Sequence, residues 1–215
     1  MDFSKPLQTQ AYEHIKKRIL SGEFVQDTLY SETKIAKELS ISRTPLRDAL
    51  RYLEQDGYIT IVPSRGFRIR SLDEEGLRSS IELRSAIEGY CAFRAAGRCQ
   101  EPAAAALVAG LEEIMGNMGR CVEDPDRVRD FINSDHAFHS RIIEFIGVEE
   151  FQAEFQKIYF LIRQTSERSL RVKGRSQKVF EEHQRILQSI RAGEPVKAYQ
   201  EMIDHLRVPL HNLAP

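Results

Sequence analysis

Apolar positions along the first third of the chain recur first at helical spacing and then at strand spacing. In residues 11–21, Tyr12, Ile15 and Ile19 fall on one face, and Gly22 follows as a stop. Ser31 and Glu32 open a short pattern with Ile35, Ala36 and Leu39 turned inward. After "SIS", Ser42 stands where an N-cap accepts backbone N–H bonds. Pro45 is tolerated close behind it, because first-turn N–H groups have no intrahelical partner. Leu46, Ala49, Leu50 and Leu53 form the next apolar stripe, and Gly57 ends it. "YITIVPSRGFRIRS" then joins a β-rich arm to one that alternates Phe67 and Ile69 with Arg68 and Arg70. The Pro-Ser-Arg-Gly turn between them predicts a hairpin. From Asp73 onward the pattern is helical almost throughout, over residues 75–97, 102–122, 126–146, 149–171, 176–192 and 195–211. Pro102, Pro125 and Pro195 occupy first-turn positions, and Gly174 and Gly193 mark breaks.

Three helices followed by a hairpin is the order of a winged helix-turn-helix. The expectation is a mainly α protein: a winged helix-turn-helix over residues 1–72, then an antiparallel all-α bundle of about six helices over residues 73–215. Charge sharpens the division. The chain of 215 residues carries a formal charge of −1, but residues 1–70 hold 12 Lys and Arg against 9 Asp and Glu, and the remainder 19 against 23. A basic front and an acidic back suggest different partners. "MDFSKPLQTQ" has no apolar core of a secretory signal, and no apolar run approaches the length of a membrane span. Cys91, Cys99 and Cys121 are odd in number and lack CxxC spacing, which suits small buried thiols in a reducing compartment. A cytoplasmic protein is expected, with no membrane partner.

Two constellations carry chemistry. Arg43, Arg47 and Arg51 recur every four residues, on a face turned away from Leu46, Leu50 and Leu53. Such a row suits the DNA major groove, where Arg bonds guanine O6 and N7 or pairs with phosphate, and the helix N-terminus attracts phosphate too. It equally suits a solvated face with Asp48 and Glu54 as ion-pair partners. The preceding short helix, the capped start and the "SRG" turn around Arg65 favour DNA. In the back half, Val128, Ile132, Asp135, His139, Ile142 and Ile146 form one stripe with a carboxylate and an imidazole at its centre. Val179, His183, Ile186 and Ile190 form another, and His205 lies beside Met202 at the edge of a third. A lone carboxylate is costly to bury unless it is paired or bound to metal. Asp and His at i, i+4 can reach one ion, and one Asp with three His suits Zn²⁺, Ni²⁺ or Mn²⁺. A simple buried Asp135–His139 pair fits the same spacing. His14, His136 and His211 are read as hydrogen-bonded or exposed.

"SETKIAKELSISRTPLRDALRYLEQDGYITIVPSRGF" resembles the DNA-binding domain of the GntR family of bacterial transcription regulators. That resemblance implies DNA contacts from Arg43, Thr44 and Arg47, with Ser42, Arg51 and Arg65 beside them and the Gly66 tip entering the minor groove. It departs at Gln26-Asp27, where the family often has Pro-Gly, and at Thr33, where some members carry Arg. The helical part, with "DHAFH", "EEHQRIL" and "MIDHL", resembles the effector domain of the FadR branch, called FCD. There the positions of Asp135, His139, His183 and His205 hold a divalent ion in the metal-binding members. The resemblance further implies an Arg near Arg84 that pairs with a carboxylate effector, and Arg163 is a second candidate. The resulting expectation is a homodimeric regulator that binds a pseudo-palindromic operator and senses a small organic acid at a metal site. The rival is an enzyme, because two His and a carboxylate also hold iron in non-haem oxygenases. No HExxH motif or positioned base accompanies the cluster, and an enzyme leaves the front helices unexplained.

Overall fold

The computed structural model describes residues 5–25, 28–71, 73–122, 124–170 and 174–211, apart from the side chains of residues 125, 163–169 and 208–211. The Gln26-Asp27 pair, the Arg163 side chain and the His211 side chain therefore lie outside the described residues. The chain divides into two compact units, Met1–Leu72 and Asp73–Pro215.

The first unit contains α1 (Leu7–Leu20), α2 (Glu32–Glu38), α3 (Arg43–Gln55), β1 (Ile59–Val62) and β2 (Gly66–Ile69). Helix α1 buries Ala11, Ile15 and Ile19. Tyr12 is not on that inner face. It sits half-buried at its edge, where its hydroxyl bonds the Asp56 carboxylate, because a phenol O–H leaving water needs an acceptor. Helix α3 buries Leu46, Ala49, Leu50 and Leu53, and each such leucine contributes about 1.5–3 kcal/mol of transfer free energy. Ser31 caps α2 by accepting from the Lys34 N–H. Ser42 differs from expectation: its backbone is extended as an N-cap requires, but its hydroxyl accepts no cap bond. The two strands pair antiparallel, Ile59 opposite Ile69 and Val62 opposite Gly66. Tyr30 adds a bridge to Phe67, exchanging N–H···O bonds of 2.8 and 3.0 Å. Phe24, Tyr30 and Phe67 pack their rings over that junction.

This bridge corrects the expectation for Gly66. The residue is not the tip of the turn but the first residue of β2, and it is buried. Its φ is +133°, and a Cβ there would lie 1.9 Å from the Tyr30 carbonyl oxygen. Glycine is required by this internal approach. The exposed turn is Pro63–Ser64–Arg65, with Ser64 at φ 61°.

The second unit contains α4 (Glu74–Gly97), α5 (Pro102–Gly119), α6 (Val128–Ile146), α7 (Glu149–Leu170), α8 (Arg175–Arg191) and α9 (Pro195–His211), with a 3-10 turn at Pro125–Arg127. Helix α4 is central and contacts α6, α7, α8 and α9. Its Gly89, Ala92, Ala95 and Ala96 make a small-residue face. At Gly89 a Cβ would meet Ile203 and Tyr199 of α9 at 2.9 Å, so the missing side chain lets the two helices close. Leu107, Leu111, Phe131, Phe138, Phe155 and Ile186 are among the side chains that complete the core. Among the described residues no helix is long and apolar enough to cross a membrane.

Candidate metal centre and DNA-binding face

Asp135 and His139 stand one turn apart on α6, His183 on α8 and His205 on α9. Packing of these helices brings one ligand atom from each residue within 4.8 Å of all the others. His139 Nε2 lies 3.3 Å from His183 Nε2 and 3.2 Å from His205 Nε2, and Asp135 Oδ1 lies 3.4 Å from His183 Nε2. The three histidines are buried. Asp135 keeps 18% of its side chain exposed and forms the open edge.

The outer nitrogens decide what the inner ones offer. His183 Nδ1 donates to the Val179 carbonyl at 2.8 Å, and a carbonyl can only accept. His205 Nδ1 donates to Glu182 Oε2 at 2.8 Å. His139 Nδ1 stands 2.5 Å from Glu88 Oε2, a close contact too bent to be a hydrogen bond. Burial, reinforced by the neighbouring His139, pushes His183 down to about 3. Burial and His183 together push His205 down to about 4. Both rings are therefore neutral at pH 7 with the proton on Nδ1, so their Nε2 lone pairs point at His139 and at each other. Lone pairs crowded in this way repel unless an electrophile lies between them. A divalent cation satisfies that donor set; among the described residues the alternative is His139 itself, whose Nε2 as an N–H donor would reach His183 or His205. Burial alone would raise Glu88, but Arg84 and His139 outweigh it and hold its carboxyl at about 2. Burial would also raise Glu182, and His205 and Arg175 hold that carboxyl at about 2. Cys91, pushed up to about 12 by burial, is inert as a thiolate ligand.

Glu88 and Glu182 escaped the reading of the sequence. Each is a charged residue on an otherwise apolar face, Glu88 four residues after Arg84 and Glu182 directly before His183. Arg84, expected as an effector contact, is buried and turns Nε and Nη2 toward Glu88. His136 stacks on Phe155 and Tyr159 and bonds Gln156, as a structural histidine does.

On the first unit, Ser42, Arg43, Thr44, Arg47 and Arg51 lie exposed along the start and outer face of α3, and Arg65 lies exposed in the turn. The acid facing the arginines is Glu32 of α2, not Asp48 or Glu54: its Oε2 accepts from Arg47 Nε at 2.9 Å and lies 3.6 Å from Arg43 Nη2. Glu54 instead accepts from the Ile61 N–H. Exposed pairs of this kind contribute about 0–1 kcal/mol, so a phosphate or a base can displace the carboxylate. The Ser42 hydroxyl, which makes no cap bond, leaves the first-turn N–H groups of α3 available to an anion.

Comparison with known proteins places both units. Residues 7–69 match the model for bacterial regulatory proteins of the gntR family, and residues 79–208 match the FCD domain. An HTH-type transcriptional regulator of Bacillus subtilis, YdhC, is 25% identical over 205 residues, which is 95% of this chain and 90% of the relative. The gluconate operon transcriptional repressor of Bacillus subtilis is 27% identical over 199 residues, 89% of this chain and 78% of that protein. Among solved structures, a putative transcriptional regulator GntR from Rhodococcus sp. RHA1 superposes with a TM-score of 0.76 at 18% identity, covering 97% of this chain and 99% of its own. E. coli McbR/YncC gives 0.75 at 15% identity, with 94% of each chain covered. At these identities the two structures share the fold.

Proposed function

The chain belongs to the gntR family of bacterial regulatory proteins, in the branch that carries an FCD domain, and we propose that it binds a pseudo-palindromic operator as a homodimer and senses a small organic acid at a divalent metal in its second unit. As a member of that family it is a transcriptional regulator and not an enzyme, which disposes of the oxygenase alternative. The single observation that carries the sensing reading is the convergence of three Nε2 atoms whose Nδ1 partners all lie outward. Asp135, His139, His183 and His205 would hold the ion, with Zn²⁺, Ni²⁺ and Mn²⁺ the candidates.

Charge supports a carboxylate effector. As ligands to a cation the three imidazoles must be neutral, so the four ligands would carry one negative charge, and the Arg–Glu pairs beside them add none. A bound divalent ion supplies Lewis acidity and leaves the site net positive. The ligand's carboxylate would enter at the Asp135 edge, with Arg84 and Arg163 as the candidate arginine partners. One relative takes its name from the operon for gluconate, itself a carboxylate. On the first unit, Arg43, Thr44 and Arg47 would read bases, with Ser42, Arg51 and Arg65 on the backbone or the minor groove and Gly66 shaping the turn. A two-fold dimer would place two such faces on two half-sites.

The test is sequential. Elemental analysis of the purified protein should find a stoichiometric divalent ion. Selection from random duplexes should return a two-fold related consensus. A panel of small carboxylates should then contain one that shifts operator affinity of the metal-loaded protein, without being consumed. Metal-free protein after incubation with each candidate ion would reduce the four residues to a hydrogen-bonded core network.

A further inference from the structure

Two buried arginine–carboxylate pairs abut the histidine cluster without belonging to it. Arg84 and Glu88 lie one turn apart on α4, 8% and 1% exposed. Arg175 and Glu182 lie on α8, 8% and 3% exposed, and Arg175 Nη1 donates to Glu182 Oε1 at 3.1 Å. Burying two ion pairs where apolar side chains would pack is costly in desolvation and is often no gain in stability. Both carboxylates turn their second oxygen toward a histidine Nδ1, and of the two contacts the one from Glu182 has hydrogen-bond geometry. Glu88 Oε2 faces His139 Nδ1, and Glu182 Oε2 accepts from His205 Nδ1. The third histidine has the Val179 carbonyl in that place.

We propose that Glu88 and Glu182, each clamped by its arginine, are positioning residues that hold His139 and His205 in the Nδ1–H tautomer and so aim their Nε2 lone pairs at a shared cation. This rests on the metal reading above. An unrestrained neutral imidazole samples both tautomers, and an Nε2–H facing inward blocks a ligand position. A carboxylate is an acceptor only, so it stabilises one tautomer and raises the basicity of the far nitrogen. The arginine prevents the carboxylate from swinging away. Arg84 and Arg175 thus act on the site through the glutamates, two contacts removed from the ion.

The experiment has two arms. In the first, long-range ¹⁵N–¹H correlation on metal-free wild-type protein reads each imidazole tautomer. His139, His183 and His205 should all carry the proton on Nδ1, and a majority Nε2–H form at His139 or His205 overturns the inference. In the second, Co²⁺ is titrated into wild type, Glu88→Gln, Glu182→Gln and the charge-balanced doubles Arg84→Met/Glu88→Gln and Arg175→Met/Glu182→Gln. The visible d–d band and the metal-free melting temperature are recorded for each. Affinity should fall about 10–100-fold, with an altered band and a smaller Co²⁺-induced rise in melting temperature. A purely structural role predicts lower metal-free melting with affinity and band as in wild type, and that result also overturns the inference. Should the variants not fold, the wild-type tautomers decide. Should wild type bind no Co²⁺, the metal reading itself fails, while the first arm still judges the relays.

Discussion

At the scale of single residues, the two depressed histidines make a directional statement about pH. His183 and His205 titrate at about 3 and about 4 when folded, against 6.5 in the unfolded chain. Between those values the unfolded chain binds more protons, so stability is complete above about pH 6.5 and falls as pH falls. Glu88 and Glu182, held at about 2 against 4.5, extend the loss below pH 4.5. The metal-free protein should therefore melt progressively lower from pH 7 to pH 5, by at most about 1.4 kcal/mol per pH unit per histidine. A flat melting temperature over that range contradicts the burial of neutral rings. Gly66 gives a second expectation. Gly66→Val meets the Tyr30 carbonyl and carries a φ strain of about 1–3 kcal/mol. It should abolish operator binding by unfolding the first unit, with amide exchange of α3 and the hairpin becoming fast. Binding lost with α3 still protected would return Gly66 to a direct contact.

At the scale of elements, α3 is a helix held by one side and presented by the other. Leu46, Ala49, Leu50 and Leu53 are at most 1% exposed, while Arg43, Arg47 and Arg51 face outward. Arg47→Ala should weaken operator binding by about 1–3 kcal/mol and blur sequence preference, with melting unchanged to within the small worth of its pair with Glu32. Gel-shift titration at fixed salt measures this, and unchanged affinity removes α3 from the base-reading role. Helix α4 is the opposite kind of element. Its small residues admit α9, and its Arg84 and Glu88 sit where amphipathic periodicity would place apolar side chains.

At the scale of the molecule, the cluster exists only when α6, α8 and α9 are packed, since no two of those helices alone supply all four residues. An ion bound there stabilises the folded second unit by mass action, by about 2.7 kcal/mol at a free concentration one hundred times its dissociation constant. Chelation should lower the melting of that unit and leave the first unit's transition in place. His183→Ala should lower it as well and erase the chelator's effect, while operator binding persists. Scanning calorimetry with and without chelator distinguishes the outcomes, and a chelator effect that survives the substitution would falsify the four-residue site.

Periodicity alone located the helices, because each must bury one face. The helical spans of the second half began and ended within a few residues of their expected bounds, α5 stopping soonest, at Gly119. Asp135, His139 and His183 were legible for the same reason, as polar residues interrupting Val and Ile stripes. Local pattern was silent wherever a residue answers to a distant neighbour. Tyr12 turns to Asp56, Gly66 yields to Tyr30, Glu32 reaches Arg47 from another helix, and Glu88 and Glu182 find His139 and His205 across the bundle. Hydrophobic spacing is a property of one helix, and the chain carries it openly. Partnership of buried polar atoms depends on which faces meet at what angle, and only the packed structure decides that.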